Sequence, residues 1–152
     1  MEVIGWLLIG YFGYMGLKMF NNALVDQQYY LALTMYGEAR GEGAQGMQAV
    51  GNVILNRVKQ GGWYGASVKD VVLKPLQFSC WNTGDPNRAV MLNASAEKLA
   101  TANAIAGQLL AGKLEDITGG ATNYHADYVR PSWASSMKQT VKIGRHIFYK
   151  EV

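Results

Sequence analysis

The sequence predicts an α+β chain, mainly helical, with a small antiparallel sheet towards its C-terminus and an apolar helix at its N-terminus. Three observations carry this reading. Residues 44–58 and 94–111 place apolar side chains at helical spacing, as with Met47, Val50, Ile54 and Val58 in the first stretch. Residues 139–143 and 146–150 read as two strands of a hairpin about Gly144-Arg145. Residues 3–17 carry no charge at all. Composition agrees: 152 residues suffice for one domain with a core, and 49 % hydrophobic against 16 % charged residues excludes a disordered tail or a coiled coil.

In chain order, the apolar N-terminal stretch extends to Met19 and Phe20, broken only by Lys18. At ~1.5 Å rise per residue it is slightly short for a ~30 Å hydrocarbon core. Gly5, Gly10, Gly13 and Gly16 weaken it further as a helix. Three readings stand: an uncleaved signal anchor, an anchor able to leave the bilayer, or a helix packed on the domain. The leading Met-Glu is unlike the basic start of a cleaved signal peptide. Glu2 before the stretch and Lys18 after it do not favour export of the C-terminal domain. Residues 1–26 are thus expected to be an apolar helix and linker associated with a membrane, and residues 27–152 the folded domain.

Residues 21–28 are polar and read as a linker or helix cap. Residues 29–36 (YYLALTMY) read as a short buried helix ending at Gly37. The helix over 44–58 stops before Gly61-Gly62, with Asn52, Asn56 and Arg57 off its apolar stripe. Residues 68–73 form a short helix capped by Ser67, and Gly84-Asp85-Pro86 signals a turn. Asn93 or Ser95 caps the helix over 94–111, and Gly112 ends it. Gly119-Gly120 then leads into a strand over 121–125, and Pro131-Ser132-Trp133 opens a short helical turn.

The chemistry centres on Tyr36-Gly37-Glu38-Ala39-Arg40-Gly41-Glu42. A glutamate where a helix meets a glycine turn can sit at the lip of a cleft among apolar neighbours. Burial disfavours a charged carboxylate, so Glu38 is a candidate general acid; the plainer alternative makes Glu38 and Glu42 solvated turn carboxylates. Gln77-Phe78-Ser79-Cys80-Trp81-Asn82 sets aromatic and amide groups on a loop without periodicity. Such groups suit a sugar, or else plug the domain. His125, beside Asn123 and Tyr124, is a better functional candidate than His146, which alternates with Phe148.

Net charge is +3, which suits an anionic polymer such as a cell wall, a membrane surface or a nucleic acid. No Lys/Arg run interleaved with aromatics points to nucleic acid. Cys80 is the only cysteine, so neither an internal disulfide nor a cysteine metal cluster is available. His125 and His146 are too few for an obvious zinc site, which would need both together with a carboxylate; no metal and no cofactor are expected.

YGEARGE, GMQAVGNVILNRV, QFSCWN, GATNYHADYVRPSW and IGRHIFY, in this order and spacing, resemble the cell-wall hydrolases of the spore cortex-lytic (SleB/CwlJ-like) family, over about residues 31–150. The resemblance implies a domain shaped like lytic transglycosylases and goose-type lysozymes, with the small sheet beside the cleft. It implies cleavage of peptidoglycan glycan strands, with Glu38 as the catalytic glutamate. Gln77, Phe78, Ser79, Trp81 and Asn82 would form one wall of the groove, Tyr124 and His125 the other, with Trp133 a platform or part of the core. Glu42, Asp85 and Asp127 are the carboxylates available as a second group. Without one facing Glu38, a lytic transglycosylase route leaving 1,6-anhydro ends is expected; with one, lysozyme-type hydrolysis.

The short chain and apolar, glycine-rich N-terminus look more like a phage lysis enzyme, such as an endolysin with a releasable signal anchor, or a Gram-negative envelope hydrolase than like a spore protein. The substrate would place the domain in the cell envelope, on the wall side of the membrane, anchored or released. Two other functions compete: a peptidoglycan amidase or endopeptidase, using a metal or a Cys80–His125 pair, and a non-catalytic wall-binding lysis accessory.

Overall fold

The computed structural model describes residues 3–152, with side chains described for residue 13 and from residue 15 onward. Helix α1 spans Val3–Ala39, α2 Gly43–Gln60, α3 Val68–Leu73, α4 Pro86–Leu92 and α5 Ala96–Leu110. Strands β1 (Asn123–Ala126), β2 (Lys138–Ile143) and β3 (His146–Lys150) form one antiparallel sheet in the order β1-β3-β2.

Helix α1 is longer than expected. The linker or cap anticipated over 21–28 is helical, and the helix does not stop at Gly37 but runs to Ala39. Neither glycine nor proline interrupts residues 17–36. Propagating a helix adds one hydrogen bond per residue, whereas stopping and renucleating is unfavourable, so two adjacent helical stretches merge. Described side chains before Gln27 are exposed. Packing begins there: Gln28 Nε2 donates to the Asn103 carbonyl at 3.2 Å. The apolar character assigned to residues 3–12 lies outside the described side chains. Among the described residues no helix is long and apolar enough to cross a membrane.

From Leu31 the helix is central. Leu31, Leu33 and Met35 are fully buried against α2, α3 and α5. Each contributes on the order of 1.5–3 kcal/mol by leaving water. The inward face of α2 carries Met47, Val50 and Ile54 as expected, while Ala49 and Val53 pack on Ala121, Ile143 and Phe148 of the C-terminal segment. Helix α2 thus joins the helical core to the sheet. Ser67 caps α3 by accepting from the Asp70 amide at 3.1 Å, and Ser95 caps α5 by accepting from Lys98 at 3.3 Å.

Helix α4 was not anticipated. Asp85, read as part of a turn, accepts from the Asn87 amide at 2.8 Å with Pro86 at the first helical position, a combination that starts a helix.

Candidate active site

One stripe of α1 positions the site. Tyr30, Thr34 and Glu38 are spaced four residues apart and share a face. The loop carrying Ser79, Cys80 and Trp81 lies along that face. Buried Thr34 donates to the Tyr30 carbonyl at 2.7 Å and accepts from Trp81 Nε1 at 2.9 Å. The Trp81 ring packs on Tyr30 at 5.7 Å. One turn further on, Glu38 Oε1 accepts from the Cys80 amide at 3.0 Å and lies 3.5 Å from Ser79 Oγ.

This contact depends on Gly37. A Cβ there would come within 2.8 Å of Cys80 Cβ and 2.9 Å of Met91 Sδ. The glycine expected to end the helix instead lets the loop and α4 approach it. Leu76, just before the loop, has φ +64° and is 81 % exposed. A bulky residue held in the left-handed region marks local strain at the loop entry.

From the other side, the Tyr124 hydroxyl donates to Glu38 Oε2 at 2.9 Å. Burial, together with the adjacent Glu38 charge, pushes the Tyr124 phenol well above its usual range. It stays a neutral hydroxyl. Glu38 itself is half-buried, and the residues on either side of it in the helix are buried.

The carboxylates considered as a second group are committed elsewhere. Glu42 Oε2 accepts from the Arg145 amide at 2.9 Å, pinning the β2–β3 turn. Gly144 in that turn has φ +56°, and a Cβ there would collide with the Glu42 carboxylate. Asp85 caps α4. Asp127 pairs with Lys142 at 2.9 Å and Arg145 at 3.5 Å, and these cations lower its pKa, the Lys142 hydrogen bond most.

Several expected wall residues are placed differently. Phe78 is only 2 % exposed and belongs to the core, so it does not face a groove. The Arg57 guanidinium lies 5.0 Å from its ring. His125 and Trp133 lie away from Glu38, because adjacent strand residues point to opposite faces. Tyr124 shares a face with Phe148 and His146; His125 shares the other with Ile147 and Tyr149. Both His125 nitrogens are occupied: Nδ1 donates to the Ala126 carbonyl at 2.8 Å and Nε2 accepts from the Tyr149 hydroxyl at 3.0 Å, which assigns the tautomer. Trp133 packs edge-on against both rings, at 5.7 and 5.5 Å. Ser79 and Tyr124 remain beside Glu38, and Trp81 sits one turn back against Thr34 and Tyr30; half-buried Gln77 and Asn82 flank that loop segment.

The Cys80–His125 pair does not assemble. Burial first, and then the Glu38 charge, drive the Cys80 thiol far above its usual range, while His125 faces the other side of the sheet. Among the described residues no three His, Cys, Asp or Glu side chains converge as metal ligands.

Two supports escaped the sequence reading. Arg57 is 5 % exposed; its Nε donates to the Thr122 carbonyl at 2.7 Å and Nη1 reaches Gln77 Oε1 at 3.5 Å. It ties α2, the loop and the approach to β1 together, and burial lowers its pKa. Arg40 Nη2 donates to Asn87 Oδ1 at 2.7 Å, joining the end of α1 to α4. The position of Arg57 just off an apolar stripe was its only sequence signal.

Comparison with known proteins agrees with this architecture. The cell wall hydrolase family model matches residues 41–149, beginning three residues after Glu38. A spore cortex-lytic enzyme of Halalkalibacterium halodurans is 35 % identical over 119 residues, covering 78 % of this chain and 33 % of that protein. One from Bacillus cereus is 36 % identical over 121 residues, covering 79 % and 42 %. The chain therefore spans about a third to two-fifths of the length of these relatives. Among solved structures, the catalytic domain of the germination-specific lytic transglycosylase SleB from Bacillus anthracis matches with TM-score 0.62 and 31 % identity, over 82 % of this chain and 93 % of that one. The catalytic domain of the Bacillus cereus SleB protein matches with TM-score 0.66 and 30 % identity, over 82 % and 89 %. The lysozyme-like α+β fold expected from the motifs is the fold found, and the chain belongs to the cell wall hydrolase family.

Proposed function

We propose that this chain degrades peptidoglycan by cleaving the MurNAc–GlcNAc glycosidic bond as a lytic transglycosylase, with Glu38 as its single acid and base. The observation that carries the reading is the hydrogen bonding of Glu38. Oε1 accepts from a backbone amide, which can only donate, and Oε2 meets the Tyr124 hydroxyl, which can donate or accept. The mobile proton therefore belongs on Oε2, and Tyr124 rotates to suit either protonation state.

Protonated Glu38 gives its proton to the glycosidic oxygen as the bond to the muramoyl anomeric carbon breaks. The ionised Glu38 then takes the proton of the muramoyl 6-hydroxyl, whose oxygen closes on that carbon. The product is a 1,6-anhydro end, Glu38 is again protonated, and no water is consumed. Hydrolysis by the usual glycosidase pattern needs a second carboxylate about 5–9.5 Å across the bond. The engagement of Glu42, Asp85 and Asp127 elsewhere favours the internal hydroxyl instead. Ser79, Trp81, Asn82 and Gln77 would line the glycan on one side and Tyr124 on the other. Such a substrate puts the site of action in the cell envelope, on the wall side of the membrane.

Mass spectrometry of purified peptidoglycan digested by wild type and by Glu38→Gln tests this. Anhydromuropeptides from wild type that vanish in the variant are expected. Reducing sugar ends would mean hydrolysis instead, and released stem peptides would overturn the glycosidic reading.

A further inference from the structure

The sheet face turned away from Glu38 holds a pocket of about 540 Å³ that the catalytic proposal leaves unused. His125, Ile147, Tyr149 and Gln139 rise into it from the three strands, and Arg130 and Met137 close it from the segment between β1 and β2. The register requires this sidedness: Asn123, Tyr149 and Gln139 are laterally paired, as are His125 and Ile147, so these side chains share one face.

The charge around the pocket is unbalanced. Asp127 is the only carboxylate lining it among the described residues, and that charge is already held by Lys142 and Arg145. Arg130 also lines it and makes no hydrogen bond or ion pair through its side chain among the described residues. With the Asp127 charge met by Lys142 and Arg145 beside the pocket, the Arg130 charge in the lining is left without a counterion among the described residues. The floor is Tyr149, stacked on His125 at 5.2 Å, with Ile147 and Met137 as apolar surface and the Gln139 amide at the edge. Since His125 spends both nitrogens internally, it supplies a rigid wall rather than a reactive group.

We infer that this pocket binds a carboxylate-bearing peptide, the stem peptide of peptidoglycan, with Arg130 as the carboxylate partner. The inference rests on the proposed wall substrate. An arginine fork matches a carboxylate in two parallel hydrogen bonds, while the apolar floor takes short aliphatic side chains. With glycan at Glu38 on one side of the sheet and a stem peptide on the other, the enzyme would hold two parts of the same polymer.

Titration calorimetry of the full chain with two synthetic probes tests it. One is the stem tetrapeptide N-acetyl-L-Ala-γ-D-Glu-L-Lys-D-Ala; the other is the same peptide with both carboxylates amidated. The acid form should bind about tenfold or more tightly than the amide, as expected for a hydrogen bond to a charged group. Arg130→Gln, at an exposed position, should abolish that preference, and Glu38→Gln should leave it intact. Equal binding of the two probes, unchanged binding in Arg130→Gln, or loss of binding in Glu38→Gln would overturn the inference. The catalytic proposal fails separately: Arg130-dependent peptide binding by a chain that yields no glycan cleavage would leave this pocket standing alone.

Discussion

Removing one oxygen tests the site most sharply. Tyr124→Phe deletes the hydroxyl 2.9 Å from Glu38 Oε2 but keeps the ring, which packs at 5.5 Å on Phe148 and 5.0 Å on His146. The fold should tolerate it, because the apolar contacts that hold β1 to the core survive. A hydrogen bond to a charged group is worth about 1.5–3 kcal/mol. If it orients Glu38 in the transition state, its loss lowers kcat by roughly tenfold to a hundredfold. The assay is the rate of anhydromuropeptide release from purified sacculi at saturating substrate, with thermal unfolding as the control. KM should change little, because the ring that would line the glycan is kept and the lost hydroxyl meets the carboxylate. A variant as stable as wild type whose kcat stays within twofold would refute the assignment of Tyr124 as the partner of the catalytic proton. A variant that loses activity only because it unfolds would show itself in the control.

Three further outcomes are expected from the geometry. Gly37→Ala forces a methyl into Cys80 and Met91, and should destabilise by about 1–3 kcal/mol in chemical denaturation while also lowering activity, since the Cys80 amide is displaced from Glu38. The Cys80 thiol, buried and pushed up by burial and Glu38, should resist thiol reagents at neutral pH and react only on unfolding; prompt labelling of the native chain would contradict the packing. Burial lowers the His146 pKa from its ordinary 6.5, against Glu42, Glu38 and Asp127, which raise it, and its Nδ1 has no hydrogen-bond partner among the described residues. The unfolded chain then binds a proton that the folded chain refuses, so this stability is complete above about pH 6.5 and falls as pH drops towards the lower folded value. Thermal unfolding of wild type and His146→Gln at several pH values should show a weaker acid loss in the variant.

Local spacing along the chain was enough to reveal much of this protein. The apolar face of α2, the caps at Ser67 and Ser95 and the hairpin about Gly144-Arg145 are written in short-range patterns, because helix and strand periodicity and capping act within a few residues. Helix α1 escaped at its joints: Asn21 to Gln28 looked like a break, and Gly37 like a stop. A helix continues where nothing interrupts it, and Gly37 serves a close approach from residues more than forty positions away. Sidedness lay still further from local pattern. Phe78 turns into the core, where it packs among apolar side chains with the buried Arg57 guanidinium against its ring. His125 and Trp133 fall behind the sheet because Tyr124 takes the other face to reach Glu38, 86 residues earlier in the chain. That choice is made by the register of β1 on β3, and a shift of one residue would have exchanged the two faces. Chemistry-bearing residues can be named from their types; which of them meet is decided by strand register and by where helices pack closely enough to exclude a methyl group.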